Sequence, residues 1–365
     1  MLERETNSQK DPFKGKYSDP KNSGSTTLTV NGLHCTFNMP AAVARQHDAR
    51  GNEVTANLPP YSPRIGYPVD RFPASPNSWM HGSGKASSYF VPILPETGMW
   101  LDFNANTGHS HHVAAVVSVQ GVNPLTGMKA DPIRLEQYKD KCPKHGEAFL
   151  QDHYCPTCKF EWHPQNYLSS NSGGPFWIDG FRTEDGVIRQ WYFTEEECKG
   201  VAAQLIGADR VFAIGIAFYL SKLPKPAPRY NTRGGGHVYL CSASSSLGFA
   251  ATSYNDSNDS CLESIADESV GYEALGDIYN NQRLGSFDAE QASIEKSLKK
   301  LEIGAGAKIH QKIGADPEKL DFWQDEPAGM IYINYCDIST AERILAAGQR
   351  QQKAEGFLAG VNLKD

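Results

Sequence analysis

The sequence predicts an α+β, β-rich fold: an antiparallel sheet or sandwich core, a few capping helices and one inserted module that is neither. Three observations carry this expectation. Gly (33) and Pro (22) are plentiful while charged residues make up only 21% of the 365 residues, as in a chain of many turns and short strands. Apolar or alternating runs of strand length recur between turn residues along most of the chain. Helix-capping patterns concentrate after residue 190. Hydrophobic residues at 39%, with aromatics at 10%, suffice to bury a core, and the length suits one large domain or two ordinary ones.

Residues 1–26 are a polar N-terminal arm with too few apolar side chains to build a core of its own, so it is either a solvated tail or a segment held by a neighbouring subunit. The β-rich first part of the main domain spans 27–128. It opens on a hairpin, Thr26 to Phe37, around Asn31-Gly32, the strongest short turn signal. Residues 57–77, carrying Pro59, Pro60, Pro63, Pro68, Pro73 and Pro76, form an extended excursion that cannot pair deep in a sheet. Strands follow at Tyr89–Leu94, Met99–Asn104 and His111–Val119, the last closed by Gly121 and a turn at Asn123-Pro124.

Residues 129–165 interrupt the pattern with charge, cysteine and histidine. The α+β remainder of the main domain, 166–365, resumes with a hairpin, 175–182 and 187–194, around Thr183–Gly186, where glycine meets the turn's need for positive φ. Thr194 with Glu197 makes a capping box for a helix ending at Gly207. A strand is expected at Val211–Ser221, a proline connector at Leu223–Arg229, and another strand at His237–Ser242 after Gly234-Gly235-Gly236. Later come helices at about 261–280 and 287–300, the second capped by Ser286, and strands near Ala307–Ile313 and Met330–Tyr335. Ser339 with Glu342 opens a final helix to about residue 354. No repeat of fixed period is present, although Trp100-Leu101-Asp102 is echoed in Trp177-Ile178-Asp179.

A formal charge of −7, with no basic block, argues against a partner made of nucleic acid. The start, MLERETNSQKDPF, lacks the apolar region of a secretory signal, and no apolar run approaches ~20 residues, so no membrane is expected. A cytoplasmic location follows, or a virion if the protein is phage-derived. Cys35, Cys198, Cys241, Cys261 and Cys336 then read as free buried thiols of a reducing compartment.

The remaining cysteines stand together. Residues 142–158 read C-P-K-H-G-E-A-F-L-Q-D-H-Y-C-P-T-C: a C-x2-H knuckle, a spacer of hairpin length, and a C-x2-C knuckle. A tight C-P-x-C/H turn aims two ligands at one point, and Cys142, His145, Cys155 and Cys158 together offer the tetrahedral thiolate and imidazole set that Zn²⁺ favours. Over about residues 140–163 the chain resembles a zinc ribbon, with His145 standing where most ribbons carry cysteine. His153 and His163 are alternatives for that position, at less regular spacing. Three thiolates and one imidazole leave no open position for water, so the Zn²⁺ is expected to be structural. It would stand in for a core that so short a module cannot build, contributing on the order of 10 kcal/mol. Zinc ribbons often bind nucleic acid or protein. Here Lys139, Lys141, Lys144 and Lys159 balance Asp140, Glu147, Asp152 and Glu161, and with Phe149, Tyr154, Phe160 and Trp162 nearby a protein contact or packing on the main domain is expected.

Three other patterns invite chemistry. His109 and His111 would share one strand face, with His112 beside them and His81 or His237 as distant third ligands; a polar strand entrance is the plainer account. Arg233–His237 is glycine-rich but precedes a strand, where phosphate loops open helices. Residues 255–260 have calcium-loop ligands without the required glycine and distal glutamate. No catalytic set is marked. The expected function is a non-enzymatic structural or assembly protein, a self-associating subunit of an intracellular or phage-like particle. The alternatives are a metal-dependent enzyme using His109, His111 and His112, or an adaptor that recruits a protein partner through the zinc module.

Overall fold

Two sheets pack face to face, and the alternation of side chains along their strands decides which residues meet between them. The computed structural model describes residues 24–150, 153–183, 186–226 and 288–361. By its contacts the chain divides into two units, Met1–Lys225 with Gly285–Asp365, and Pro226–Leu284. Everything below concerns the first.

In chain order the strands are β1 (Thr27–Val30), β2 (Leu33–Asn38), β3 (Gln46–His47), β4 (Glu53–Val54), β5 (Tyr67–Pro68), β6 (Ala86–Ile93), β7 (Gly98–Asp102), β8 (His111–Val119), β9 (Tyr154–Cys155) and β10 (Phe160–Glu161). There follow β11 (Leu168–Ser169), β12 (Trp177–Ile178), β13 (Gly180–Arg182), β14 (Ile188–Thr194), helix α1 (Val201–Ile206) and β15 (Ala213–Pro224). Helix α2 covers 288–297, before β16 (Glu302–Ile309), β17 (Gly329–Asp337) and helix α3 (Ile338–Val361). One sheet has seven strands, ordered β1-β2-β7-β14-β13 with β12 on β7 and β16 on β14. The other has six, ordered β11-β8-β15-β17-β6-β5. Neighbours pair antiparallel except β17 with β6, which run parallel from Met330↔Ala86 to Asp337↔Ile93.

The fold is therefore the β-rich sandwich with a few capping helices that the composition implied. Odd positions of β8 (Val113, Ala115, Val117, Val119) and even positions of β15 (Ile214, Ile216, Phe218) face the seven-stranded sheet, meeting Phe37, Leu101, Trp191, Phe193 and Ile303. The opposite face of the six-stranded sheet carries two smaller layers. Helices α2 and α3 cover Tyr67, Phe72 and Phe90 through Ile294, Ala341, Ile344 and Leu345. Trp323 and Tyr167 cover Ala114, Val116, Ala217 and Tyr219.

Local signals translate directly. Asn31 and Gly32 both have positive φ (49° and 76°) in the β1–β2 turn, and Gly186 (76°) turns β13 into β14. The proline excursion pairs at the edge of the six-stranded sheet through β5 and, around Pro63, bonds to the end of β2, with Arg64 N–H to Phe37 O at 2.8 Å and Met39 N–H to Ser62 O at 2.9 Å. The two echoed tripeptides lie side by side, with Trp177↔Asp102 and Ile178↔Leu101.

Several expectations need correction. Thr194 opens no helix: it ends β14, paired with Glu302, and its hydroxyl accepts the Glu196 amide while α1 begins at Val201. The last helix is capped by Asp337, one residue before it, whose carboxylate accepts the Thr340 amide at 3.1 Å; Ser339 is already inside. β16 starts five residues before the expected Ala307, because its first half pairs with β14. Cys35 and Cys336 are buried free thiols, whereas Cys198 is exposed. The arm up to residue 23, the glycine loop, the strand at His237–Ser242, the calcium-like loop, the helix at about 261–280, Cys241 and Cys261 lie outside the described residues.

One ionisable group sits inside the sandwich without compensation. Asp179, between β12 and β13, is 1% exposed, and its Oδ1 has no hydrogen-bond partner, nor does the indole N–H of Trp191 across the pair. Burial raises its carboxyl to about 7.

Candidate metal centre

After β8 the chain leaves the sheet, and it returns at β11. The neck of this excursion is a bridge between Gln137 and Gln165, reinforced by Tyr138 N–H to Pro164 O at 2.7 Å and Asn166 N–H to Glu136 O at 3.1 Å. Beyond the neck stand two knuckles of the same design. In the first, Lys141 bridges Ala148 around Cys142-Pro143-Lys144-His145; in the second, Cys155 of β9 pairs with Phe160 of β10 around Cys155-Pro156-Thr157-Cys158. Each turn closes on a residue of positive φ just after its second ligand, Gly146 (70°) and Lys159 (54°). In each, the amides two and three residues after the first cysteine donate to its sulfur: Lys144 and His145 to Cys142, Thr157 and Cys158 to Cys155. The local sequence thus builds the same backbone-amide cradle around a cysteine sulfur twice. A hydrogen bond from Thr157 Oγ1 to Glu147 Oε2 ties the knuckles together.

The four ligand atoms lie within 4.8 Å of one another and could hold a metal ion. His145 presents Nδ1, 3.6 Å from both Cys142 Sγ and Cys155 Sγ, and the Cys142 and Cys158 sulfurs are 3.9 Å apart. Ordinary Zn–S and Zn–N bonds in a tetrahedron set edges of about 3.8 Å between sulfurs and about 3.6 Å between sulfur and nitrogen. The donor set and its spacing fit a zinc-sized ion with four protein ligands. Burial raises the Cys142 thiol. Burial pushes Cys155 upward too, but the Cys158 and Thr157 amides, with the His145 and Cys158 side chains, outweigh it and bring Cys155 down to about 6. A thiolate at that position is what a cation requires.

The centre is walled off on the domain side. Cys142 and Cys155 are buried with Tyr138 and Trp162, and Met128, Phe149 and Phe160 pack around them. Two contacts fix the module to the sandwich. Arg182 of β13, 6% exposed, reaches across to Glu161: Nη1 donates to its carbonyl, Nη2 to Oε1 at 2.9 Å, and the guanidinium lies over the Phe160 ring at 5.6 Å. His163 is held between the carbonyls of Gln165 (3.0 Å) and Ile313 (3.3 Å). His163 is therefore an anchor and not the fourth ligand, and His153 instead stands edge-on to Phe149. Neither contact had a signal in the sequence, since Arg182 lies in a hairpin arm and Ile313 is 150 residues from its histidine.

The other histidines assemble differently. The rings of His109 and His111 are 5.9 Å apart, but His109 Nδ1 accepts the His111 amide at 3.1 Å. That bond leaves Nε2 of a neutral His109 protonated, unable to ligate. His112 points the other way, against Phe322 at 5.8 Å, and His81 lies 3.9 Å from Asp70. Among the described residues the tetrad is the only group with metal-ligand spacing. No described helix is long and apolar enough to cross a membrane. No protein-family model, curated protein or solved structure matches the chain.

Proposed function

We propose that this chain is a non-enzymatic structural or assembly protein, a self-associating subunit of an intracellular or phage-like particle, in which Cys142, His145, Cys155 and Cys158 hold a structural Zn²⁺. The observation that carries this reading is the cluster of four protein donors within 4.8 Å of one another, in a module fixed to the sandwich by Arg182 and His163. With the shell filled there is no position for a reacting water, so the ion stabilises the fold of the excursion. The polar arm supports the assembly part of the reading, because a long segment with little apolar content becomes ordered only when a partner offsets its entropy. Molar mass in solution across a concentration series tests it. A stable or concentration-dependent oligomer is the expected result, and a strict monomer at every concentration would overturn it.

A second reading, an adaptor that captures a protein through the module, draws on Leu150 and Tyr154, exposed beside the second knuckle. It predicts that replacing both with serine abolishes partner capture while self-association persists.

A further inference from the structure

The outer face of the six-stranded sheet is covered at both ends, by the α2–α3 layer and by the Trp323 layer, and between them Ile133 lies over Gly215 at one side of a cavity. There three neighbouring positions on two strands are small: Ser118 of β8 with Ala213 and Gly215 of β15. They floor a cavity of about 600 Å³, flanked by Met330 and Tyr332 of β17. Its rim carries Asp131, Asp325 and Glu326 against Arg134; Lys222 reaches Asp325 at 3.4 Å, an exposed pair with little hold in water. The result is a trough with an apolar floor and an acidic rim.

The chain itself contains a segment of opposite character. Residues 10–21, KDPFKGKYSDPK, place Lys10, Lys14, Lys16 and Lys21 against Asp11 and Asp19, with Phe13 and Tyr17 as apolar anchors. The other long stretch outside the described residues, 227–287, has more acidic than basic side chains and lacks this match. The arm departs from Gly24, which packs on Ile65 and Tyr67, after Ser25 bridges Gly66 at the β5 edge. On its own molecule the route from that edge to β15 is crossed by the α2–α3 layer over Tyr67 and Phe90.

We propose that residues 10–21 of one copy's arm dock in this trough of a second copy, lysines on the carboxylate rim and Phe13 or Tyr17 against Ala213, Ile133 and Met330. The inference rests on the self-association proposed above and names its surface. Full-length chains with Lys14→Glu and Lys16→Glu, or with Asp325→Lys and Glu326→Lys, test it by sedimentation equilibrium, with unchanged circular dichroism and zinc content as the fold control. Each pair of reversals is expected to weaken association about ten-fold, the effect fading as salt rises. A mixture of the two variants should recover wild-type affinity, because each arm then meets a trough of opposite charge. Association unaffected by either pair would overturn the docking while leaving self-association intact. Rescue by combining all four reversals in one chain but not by mixing would place the arm on its own molecule and overturn the exchange. A wild-type chain that stays monomeric would overturn both proposals.

Discussion

Replacing Asp179 with asparagine should make the protein more stable, and by an amount that grows with pH. The carboxyl is 1% exposed with an unpartnered oxygen, and burial raises it from 3.8 to about 7. Because the folded state holds this proton more tightly than the unfolded chain, the group contributes most stability below about pH 4, loses it as pH rises toward 7, and is flat above. The gap from 3.8 to about 7, at about 1.4 kcal/mol for each tenfold change in proton affinity, corresponds to about 4 kcal/mol. About 2 kcal/mol of this falls between about pH 5.5 and about pH 8. The asparagine side chain does not titrate, so the stability difference between the two proteins isolates the group from every other ionisation. Thermal unfolding of both, followed by calorimetry with zinc present, should show the Asp179→Asn advantage in Tm widening by about 3 °C across that range. An advantage independent of pH would refute the claim that Asp179 is buried as an uncompensated acid.

Chelation of the metal should release residues 138–164 while the sandwich persists, seen as hydrogen exchange or proteolysis confined to the excursion; loss of the whole fold would contradict the modular account. Arg182→Ala removes an ion pair at 2.9 Å and a contact over Phe160, and should cost about 1–3 kcal/mol with zinc still bound. Denaturant titration with metal analysis checks both halves. At Gly180 a Cβ would fall 1.9 Å from the Arg189 carbonyl oxygen, a backbone atom that cannot turn aside, so Gly180→Ala should destabilise by about 3 kcal/mol or fail to fold.

What was legible in the sequence was local. Asn31-Gly32 and Gly186 act within one turn, and their φ values follow from residue type alone. The metal tetrad was legible for the same reason, since each C-P-x-C/H unit aims its own two ligands. Thr194 shows where this fails. Its capping pattern is genuine, but pairing with Glu302, 108 residues on, holds it in a strand, and tertiary pairing prevails over a local preference worth about 1 kcal/mol. The parallel pairing of β6 with β17 joins residues 86–93 to residues 330–337 with no mark in either segment. Arg182 and His163 are anchors only because of what the fold brings opposite them. Asp179 sits in an echoed tripeptide whose Asp102 twin is only half-buried, so pattern alone could not foretell its burial.

The central claim is a filled tetrahedral centre, and zinc-edge X-ray absorption of the purified protein tests it most directly. One zinc per chain with three sulfurs at about 2.3 Å and one nitrogen at about 2.0–2.1 Å is the predicted result. A shell with fewer than three sulfurs or a bound water, or a zinc signal that survives Cys142→Ser with Cys155→Ser, would contradict it.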